Sequence, residues 1–321
     1  MAHQRGRGAV ICTALPILLF AAAGCSARYL ASAPLGQNAP DLPGQSVTRH
    51  VVLVSIDGLR PDAIAAYATP TLQRLISEGS YTMHASTIMP SKTLPSHTSM
   101  LTGEPPERHG VLWNTPVTAD TDRIEQPTVF GVARARGYGT AAFFSKPKFQ
   151  PLQRADTLDY SQAPGGWFGG WTGRKTVTDV ERYLLNSRPN LLFVHLPDPD
   201  RAGHAAGWMS PAYGRAVLDS DASVGRLLRA AETAFGAGNY TFIVTADHGG
   251  QGRDHGSADP LDVTIPWIAW GRGVKVGELE SRTIRTMDTA STILWLLGVD
   301  EPTDWMGTPV IAAFAASPGP S

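Results

Sequence analysis

The sequence predicts an α/β fold: a central, mostly parallel sheet with helices on both faces, built as a single domain. Three observations lead there. Five short runs are apolar at nearly every position rather than at every second one, which suits strands buried on both faces. Helical patterns fall between those runs, the alternation expected of β–α–β units. Four of the five runs end at charged or metal-capable residues, and ligands of such sheets bind beyond the carboxyl ends of the strands.

In chain order, residues 1–25 stand apart from the fold. Arg5 and Arg7 precede AVICTALPILLFAAA, an apolar stretch short for a bilayer span, and AAGC follows. This segment resembles a bacterial lipoprotein signal. It implies export to the periplasm or cell surface with Cys25 as the lipidation site, ordinary cleavage and soluble secretion being the alternative. Residues 26–48, rich in Ala, Pro, Gly and Ser, read as a flexible tether. The first strand is RHVVLVSIDGL, stopping at Asp57-Gly58, and residues 61–79 read as one helix between Pro61 and Gly79. Further strands are GTAAFFS (139–145), NLLFVHL (190–196), YTFIVTA (240–246) and TIPWIAW (264–270). Helices are expected over 211–235 and 288–298. APGGWFGGWTG (163–173) reads as a surface loop whose Trp167, Phe168 and Trp171 either pack down or stack on a ring of a ligand. No internal repeat is seen. The catalytic domain is expected over 49–312, with 313–321 as a tail.

Composition narrows the function. The chain is 42% hydrophobic and 17% charged, with a formal net charge of −1. No basic run is present, so no nucleic-acid polymer is expected as partner, whereas a small phosphorylated substrate needs only a local site. Both cysteines, Cys12 and Cys25, lie in the leader. Any metal site in the body must therefore use His, Asp, Glu or hydroxyls.

Asp57, Asp200, His204, Asp247, His248 and His255 fall at one predicted sheet edge. Three carboxylates and three imidazoles suit two divalent ions about 4 Å apart, and mixed N/O ligation favours zinc, with manganese or another divalent ion as alternatives. Asp200 and His204, four apart in HLPDPDRAGH, share one side of a turn or helix. Asp247 and His248 are adjacent and need a turn to point together, which Gly249-Gly250 permit. An Asp-Gly at a strand end is usually only a turn, and a His beside an Asp is usually only a hydrogen-bonded pair; convergence on one edge is what favours a metal site. His195, inside a strand, reads as core or as support for a ligand; His84, His97 and His109 read as structural. Thr93, in PSKTLPSHTSMLTG, is either a helix cap or a hydroxyl nucleophile activated by a metal above a helix N-terminus.

SIDGLRPD, PSKTLPSHTSMLTG, RHGVLWN, DPDRAGH, TADHGG and DTASTILWLLGVDEPTDWMGTPV, in this order, resemble the alkaline phosphatase superfamily, most closely its nucleotide pyrophosphatase/phosphodiesterase branch. The likeness spans roughly residues 50–311. It implies an alkaline phosphatase-like fold and a di-zinc site. Asp57, Thr93, Asp247 and His248 would hold one ion, and Asp200, His204 and His255 the other. Thr93 would be the nucleophile, passing through a phosphothreonine, and Asn114 would hydrogen-bond a non-bridging phosphate oxygen. In the diesterase branch the last zinc histidine lies far downstream, but no histidine follows His255 here. Sulfatases carry Cys or Ser in place of Thr93 and Arg in place of His97, which disfavours that chemistry. Phosphomonoesterase relatives place Lys-x-Arg near SKPKF, so Lys146, with Lys148, either grips the extra charge of a monoester or is solvated.

The expected function is thus an exported, zinc-dependent phosphoric ester hydrolase of phosphodiesterase type, with a phosphomonoesterase using Lys146 as the alternative. From another class, a non-catalytic, metal-stabilised binding lipoprotein would be expected to have lost a ligand or the nucleophile, and none is missing. Phosphoethanolamine transfer usually accompanies several membrane helices.

Overall fold

The computed structural model describes residues 1–2, 28–29, 46–116, 124–166, 169–279 and 283–315. Cys25, Trp167, Phe168 and most of the expected leader and tether lie outside the described residues.

Among the described residues nine strands form one sheet: β1 (Arg28–Tyr29), β2 (His50–Ile56), β3 (Ser80–Ser86), β4 (Thr140–Phe143), β5 (Tyr160–Ala163), β6 (Leu191–Leu196), β7 (Tyr240–Thr245), β8 (Thr264–Gly271) and β9 (Gly277–Glu278), in the spatial order β1-β5-β4-β6-β2-β7-β8-β3-β9. The block β5-β4-β6-β2-β7 is parallel throughout. Strand β2 lies at its heart, with Val52 opposite Leu192 on one side and Phe242 on the other. Its run of apolar residues follows from that position, since neither face nor edge meets water.

The helices are α1 (Pro61–Ala66), α2 (Pro70–Glu78), α3 (Thr93–Thr102), α4 (Pro106–His109), α5 (Val129–Ala135), α6 (Gly173–Leu184), α7 (Asp198–Ala206), α8 (Pro211–Phe235), α9 (Pro260–Val263) and α10 (Asp288–Leu297). They gather in two groups: α8 packs on β2 and β7 with α1, α2, α6 and α7 against it, while α10 packs on β2 with α3 and α5 against it. Helix α8 shows why such a segment folds. Ser210 caps it by accepting the Tyr213 N–H, Pro211 opens it, and Tyr213, Val217, Val224, Leu227 and Leu228 bury one stripe. Each large apolar side chain so buried contributes about 1.5–3 kcal/mol. Among the described residues no helix is long and apolar enough to cross a membrane.

The structure departs from the sequence reading in several places, beginning with β3, β5 and β9, which no apolar run announced. The single helix over 61–79 is two, α1 and α2, because Pro70 has no N–H to continue a helix and instead opens a new one. TIPWIAW forms β8, but antiparallel to both β7 and β3. The ends of the stretch 163–173, expected as loop, belong to regular elements: Ala163 closes β5 and Gly173 opens α6. Within the expected tether, Arg28–Tyr29 pair antiparallel with β5 and cover its open edge. The packed body also runs past residue 312, since Ala313 and Phe314 are buried.

Candidate metal and nucleophile site

The carboxyl ends of β2, β4, β6 and β7 deliver the site. Asp57 follows β2, Lys146 lies three residues past β4, Asp200 sits in the first turn of α7 after β6, and Asp247-His248 follow β7. Strand β3 runs in the same sense as β7, because both are antiparallel to β8. Its end therefore leads to the same edge, where α3 begins with Thr93. The residue capping α3 is Lys92, without a side-chain hydrogen bond. Thr93 is the first helical residue, so its hydroxyl is not spent as an N-cap.

Asp57, Asp247 and His248 are fully buried, and Thr93 and Asp200 nearly so. His248 Nε2 lies 3.3 Å from Asp57 Oδ1, 3.3 Å from Asp247 Oδ2 and 3.9 Å from Asp200 Oδ1. Thr93 Oγ1 is 3.4 Å from the same nitrogen. On the other side, Asp200 Oδ1 faces His204 Nε2 at 3.3 Å and His255 Nε2 at 3.5 Å. Two ligand-type groups result, Asp57–Asp247–His248 and Asp200–His248–His255, with His248 common to both. His204 stands at the outer rim, exposed, and of the clustered carboxylates meets Asp200. All seven expected ligand residues are thus brought together.

The tautomers decide what this cluster wants. Nδ1 of His204, His248 and His255 each lies 2.7–2.9 Å from a backbone carbonyl, of Arg253, Gly249 and Ser91 respectively. A carbonyl only accepts, so each Nδ1 carries a proton, and in its neutral form each ring turns a bare Nε2 lone pair toward a carboxylate. Asp57 Oδ1, Asp200 Oδ1 and Asp247 Oδ2 are buried without a hydrogen-bond donor. Acceptor faces acceptor out of water, an arrangement that a proton or a cation must relieve. The donor set therefore fits divalent ions.

The charge states carry the same strain. Burial, with the charge of Asp57 next, pushes the Asp247 carboxyl up to about 8. Burial alone would depress His248, but the carboxyl groups of Asp247, Asp57 and Asp200 together outweigh it and hold the imidazole up at about 9. Burial, then the neighbouring His248, brings His255 down to about 4. Asp57 is raised by burial, yet Lys146, His195 and His248 together hold it well below the usual carboxylate range.

Around the ligands, a tight frame fixes orientation. His195 Nε2 lies 2.9 Å from Asp57 Oδ2, so this strand histidine supports a carboxylate. His97 is structural, bridging the Thr93 carbonyl (2.7 Å) and Ser55 Oγ (2.8 Å). Gly249 and Gly250 act differently from the expected turn. A Cβ at Gly249 would lie 2.1 Å from the Leu261 carbonyl, and one at Gly250 2.2 Å from the Trp208 ring; neither has a left-handed φ. Close packing behind His248, rather than a special φ, demands the glycines. His84 is exposed on β3, and His109 bonds Ser99 Oγ and the Val111 N–H away from the centre.

Asn114 and the two lysines form the outer wall. Asn114 Oδ1 accepts the Leu94 N–H at 3.0 Å and the Lys148 ammonium at 3.1 Å. Two donors on one oxygen fix the amide, leaving Nδ2 for another acceptor. Lys146 Nζ lies 2.5 Å from both Asp57 Oδ2 and Asp200 Oδ2. Despite burial, those two carboxylates hold its pKa above the usual lysine range. Sequence reasoning missed Arg201 and Gly58, and it treated Lys148 together with Lys146 without seeing its bond to Asn114. Arg201 did carry a signal, adjacent to Asp200 in DPDRAGH.

Fold and site together define the class: a doubly covered α/β protein with a buried, cation-seeking carboxylate–imidazole centre at its carboxyl edge and a hydroxyl at a helix start beside it. The sequence signature of the type I phosphodiesterase / nucleotide pyrophosphatase family matches residues 51–266, and the chain belongs to that family. Curated relatives include GPI ethanolamine phosphate transferase 1 of Candida glabrata (23% identical, covering 84% of this chain and 34% of the relative). Others are the bis(5'-adenosyl)-triphosphatase enpp4 of Xenopus laevis (24%; 64% and 48%) and ectonucleotide pyrophosphatase/phosphodiesterase family member 1 of Mus musculus (24%; 79% and 29%). The chain spans less than half the length of these relatives. Among solved structures, murine ectonucleotide pyrophosphatase/phosphodiesterase 5 matches with a TM-score of 0.69 at 16% identity, over 83% of this chain and all of that one. A 2-O GAG sulfatase matches with 0.67 at 16% identity, over 83% and 74%. The alkaline phosphatase-like fold expected from the six motifs is borne out.

Proposed function

We propose that this chain is a divalent-metal-dependent phosphoric ester hydrolase in which Thr93 is the nucleophile. The observation that carries the reading is the cluster of bare imidazole and carboxylate acceptors facing one another beside the Thr93 hydroxyl. Asp57, Thr93, Asp247 and His248 would hold one ion, and Asp200, His204 and His255 the other; the nitrogen-rich donor set suits zinc. When bound, such ions supply Lewis-acid charge and lower the pKa of a coordinated hydroxyl or water.

The chain's own residues do the rest. Thr93, held by its place at the start of α3, attacks phosphorus in line; the P–O bond to the leaving group breaks as the Thr93 Oγ1–P bond forms, giving a phosphothreonine. Hydrolysis of that ester returns the threonine and inorganic or monoesterified phosphate. Asn114 Nδ2, aimed by the two donors on Oδ1, would donate to a non-bridging oxygen as negative charge grows there. The positive end of α3 lies under the same group. His195 and Gly58 keep Asp57 and Asp247 in place, so that little reorganisation accompanies the reaction.

Relatives bear on the substrate class. An inactive threonine-to-alanine variant of the murine structure above is described in complex with AMP. A small phosphorylated molecule is the substrate class we infer here. The apolar segment behind Arg5 and Arg7 supports export, with Cys25 as the point of lipid attachment.

The test replaces Thr93 by Ala. Turnover of an aryl phosphate ester should be abolished while zinc still binds at unchanged stoichiometry. Retained turnover would remove Thr93 from this role.

A further inference from the structure

We infer that the site is built for a phosphoryl group bearing two negative charges, a phosphomonoester, and that Lys148 and Arg201, not Lys146, read the second charge. The inference rests on the reading of Thr93 as nucleophile and goes beyond the family's diesterase description.

Lys146 is committed elsewhere. Its ammonium is held at 2.5 Å by Oδ2 of each of two buried carboxylates, Asp57 and Asp200, and so is fixed within the ligand frame. Lys148 is placed otherwise. It is half-buried, and its one hydrogen bond goes to Asn114 Oδ1, a neutral oxygen. Among the described residues no carboxylate lies within ion-pair distance of it. That same oxygen holds the Leu94 N–H, directly after the nucleophile. A single atom thus bridges the ammonium and the backbone behind Thr93, so a phosphoryl group on Thr93 Oγ1 falls within reach of Lys148.

Arg201 adds a second cation. It lines the same cleft of about 240 Å³ as Thr93, Asn114 and Lys148, and forms no ion pair among the described residues. Gly170 gives it room: a Cβ there would lie 2.2 Å from Arg201 Nη2 and 2.5 Å from the Ser145 carbonyl. The guanidinium packs on a bare backbone at the cleft wall.

Charge then selects the substrate. A half-buried ammonium without a counter-charge is costly, and a dianionic phosphoryl oxygen supplies a charge-assisted partner. A diester offers one charge fewer and places an alcohol substituent where an anionic oxygen would stand. Such a substituent leaves at least one of the two cations unpaired.

The experiment measures kcat/KM of the zinc-loaded full chain for 4-nitrophenyl phosphate and bis(4-nitrophenyl) phosphate, in wild type, Lys148→Ala, Lys148→Arg and Arg201→Ala. Loss of one charge-assisted bond should lower monoester kcat/KM about 10–100-fold in each alanine variant. The loss should be at least about tenfold larger on the monoester than on the diester in each alanine variant, any loss shared by both substrates in Lys148→Ala reporting its grip on Asn114, and Lys148→Arg should recover most of the monoester loss. Competitive inhibition by inorganic phosphate should weaken in parallel. Should the alanine variant not fold, Lys148→Met retains the apolar stem and gives the same comparison. Equal loss on both substrates, or unchanged monoester turnover, overturns the inference while leaving Thr93 untouched. Activity surviving Thr93→Ala instead sinks the reading beneath it.

Discussion

Gly58→Ala should damage both the fold and the metal centre. Gly58 has φ +72°, in the left-handed region, which costs a residue with a Cβ about 1–2 kcal/mol. Its missing side chain also matters for space. A Cβ would lie 2.9 Å from Asp200 Cα, 3.0 Å from Asp200 Cβ and 3.1 Å from Asp200 N. Those atoms belong to the first turn of α7, pinned by the Asp200 N–H donating to the Asp57 carbonyl at 2.9 Å. Gly58 itself is fixed: its N–H donates to Asp247 Oδ1, and its carbonyl accepts from Trp208 Nε1 and Tyr213 Oη. Neither side can yield cheaply, so overpacking adds about 1–3 kcal/mol, for a total near 2–5 kcal/mol. Separating Asp200 from Asp57 also spreads the two ligand groups, and displacements of this kind typically weaken metal affinity about 10–100-fold. Urea unfolding with chelator present measures the first effect, and zinc competition against a chromogenic chelator the second. Stability within about 0.5 kcal/mol of wild type together with unchanged affinity would refute the reasoning, since both consequences follow from one overlap.

Two further outcomes are expected. His195→Leu removes the donor 2.9 Å from Asp57 Oδ2, so zinc affinity should fall about 10–100-fold in the same competition assay. The metal-free protein should hold its stability within about 1 kcal/mol, because His195 Nδ1 is a buried atom without a partner and leucine discards that burden. His109, well away from the ligands, should make stability depend on pH. Burial lowers its pKa to about 4 in the fold, against 6.5 for an unperturbed ring. Protonation of Nδ1 would also break its bond with the Val111 N–H. The unfolded chain therefore binds more protons between those values. The contribution is fully present above pH 6.5 and fades as pH falls toward 4, with a ceiling of about 3 kcal/mol. His109→Gln should flatten that part of the urea-unfolding profile, and an unchanged slope would assign the dependence elsewhere.

How far the sequence could be read follows from what each signal encodes. The five apolar runs all became strands, because burial on two faces writes itself into every residue of a run. Strand direction does not. TIPWIAW is as apolar as YTFIVT, yet β8 runs antiparallel to β7. The connecting segment 246–263 holds only the one-turn α9 among the site loops, too little for a crossover. Missing β3, with its mixed burial and bulged register against β8, had a larger consequence. Without it Thr93 had no positional argument for the site edge, and its role rested on resemblance.

The candidate ligands were legible because metal chemistry demands particular residue types at strand ends, and six converged there. What surrounds them was not, since it depends on where side chains turn. Lys146 and Lys148 are two apart and alike on paper. The 3-10 turn at Pro147–Leu152 sends one ammonium between Asp57 and Asp200 and the other to Asn114. Asp57-Gly58 shows the limit from the other side. Reading it as an ordinary turn and reading it as a candidate ligand are compatible, because the turn's left-handed glycine is what lets Asp200 approach Asp57. A site that must hold like charges together in a dry interior needs such close backbone contacts, and the residue that permits them has no side chain to announce it.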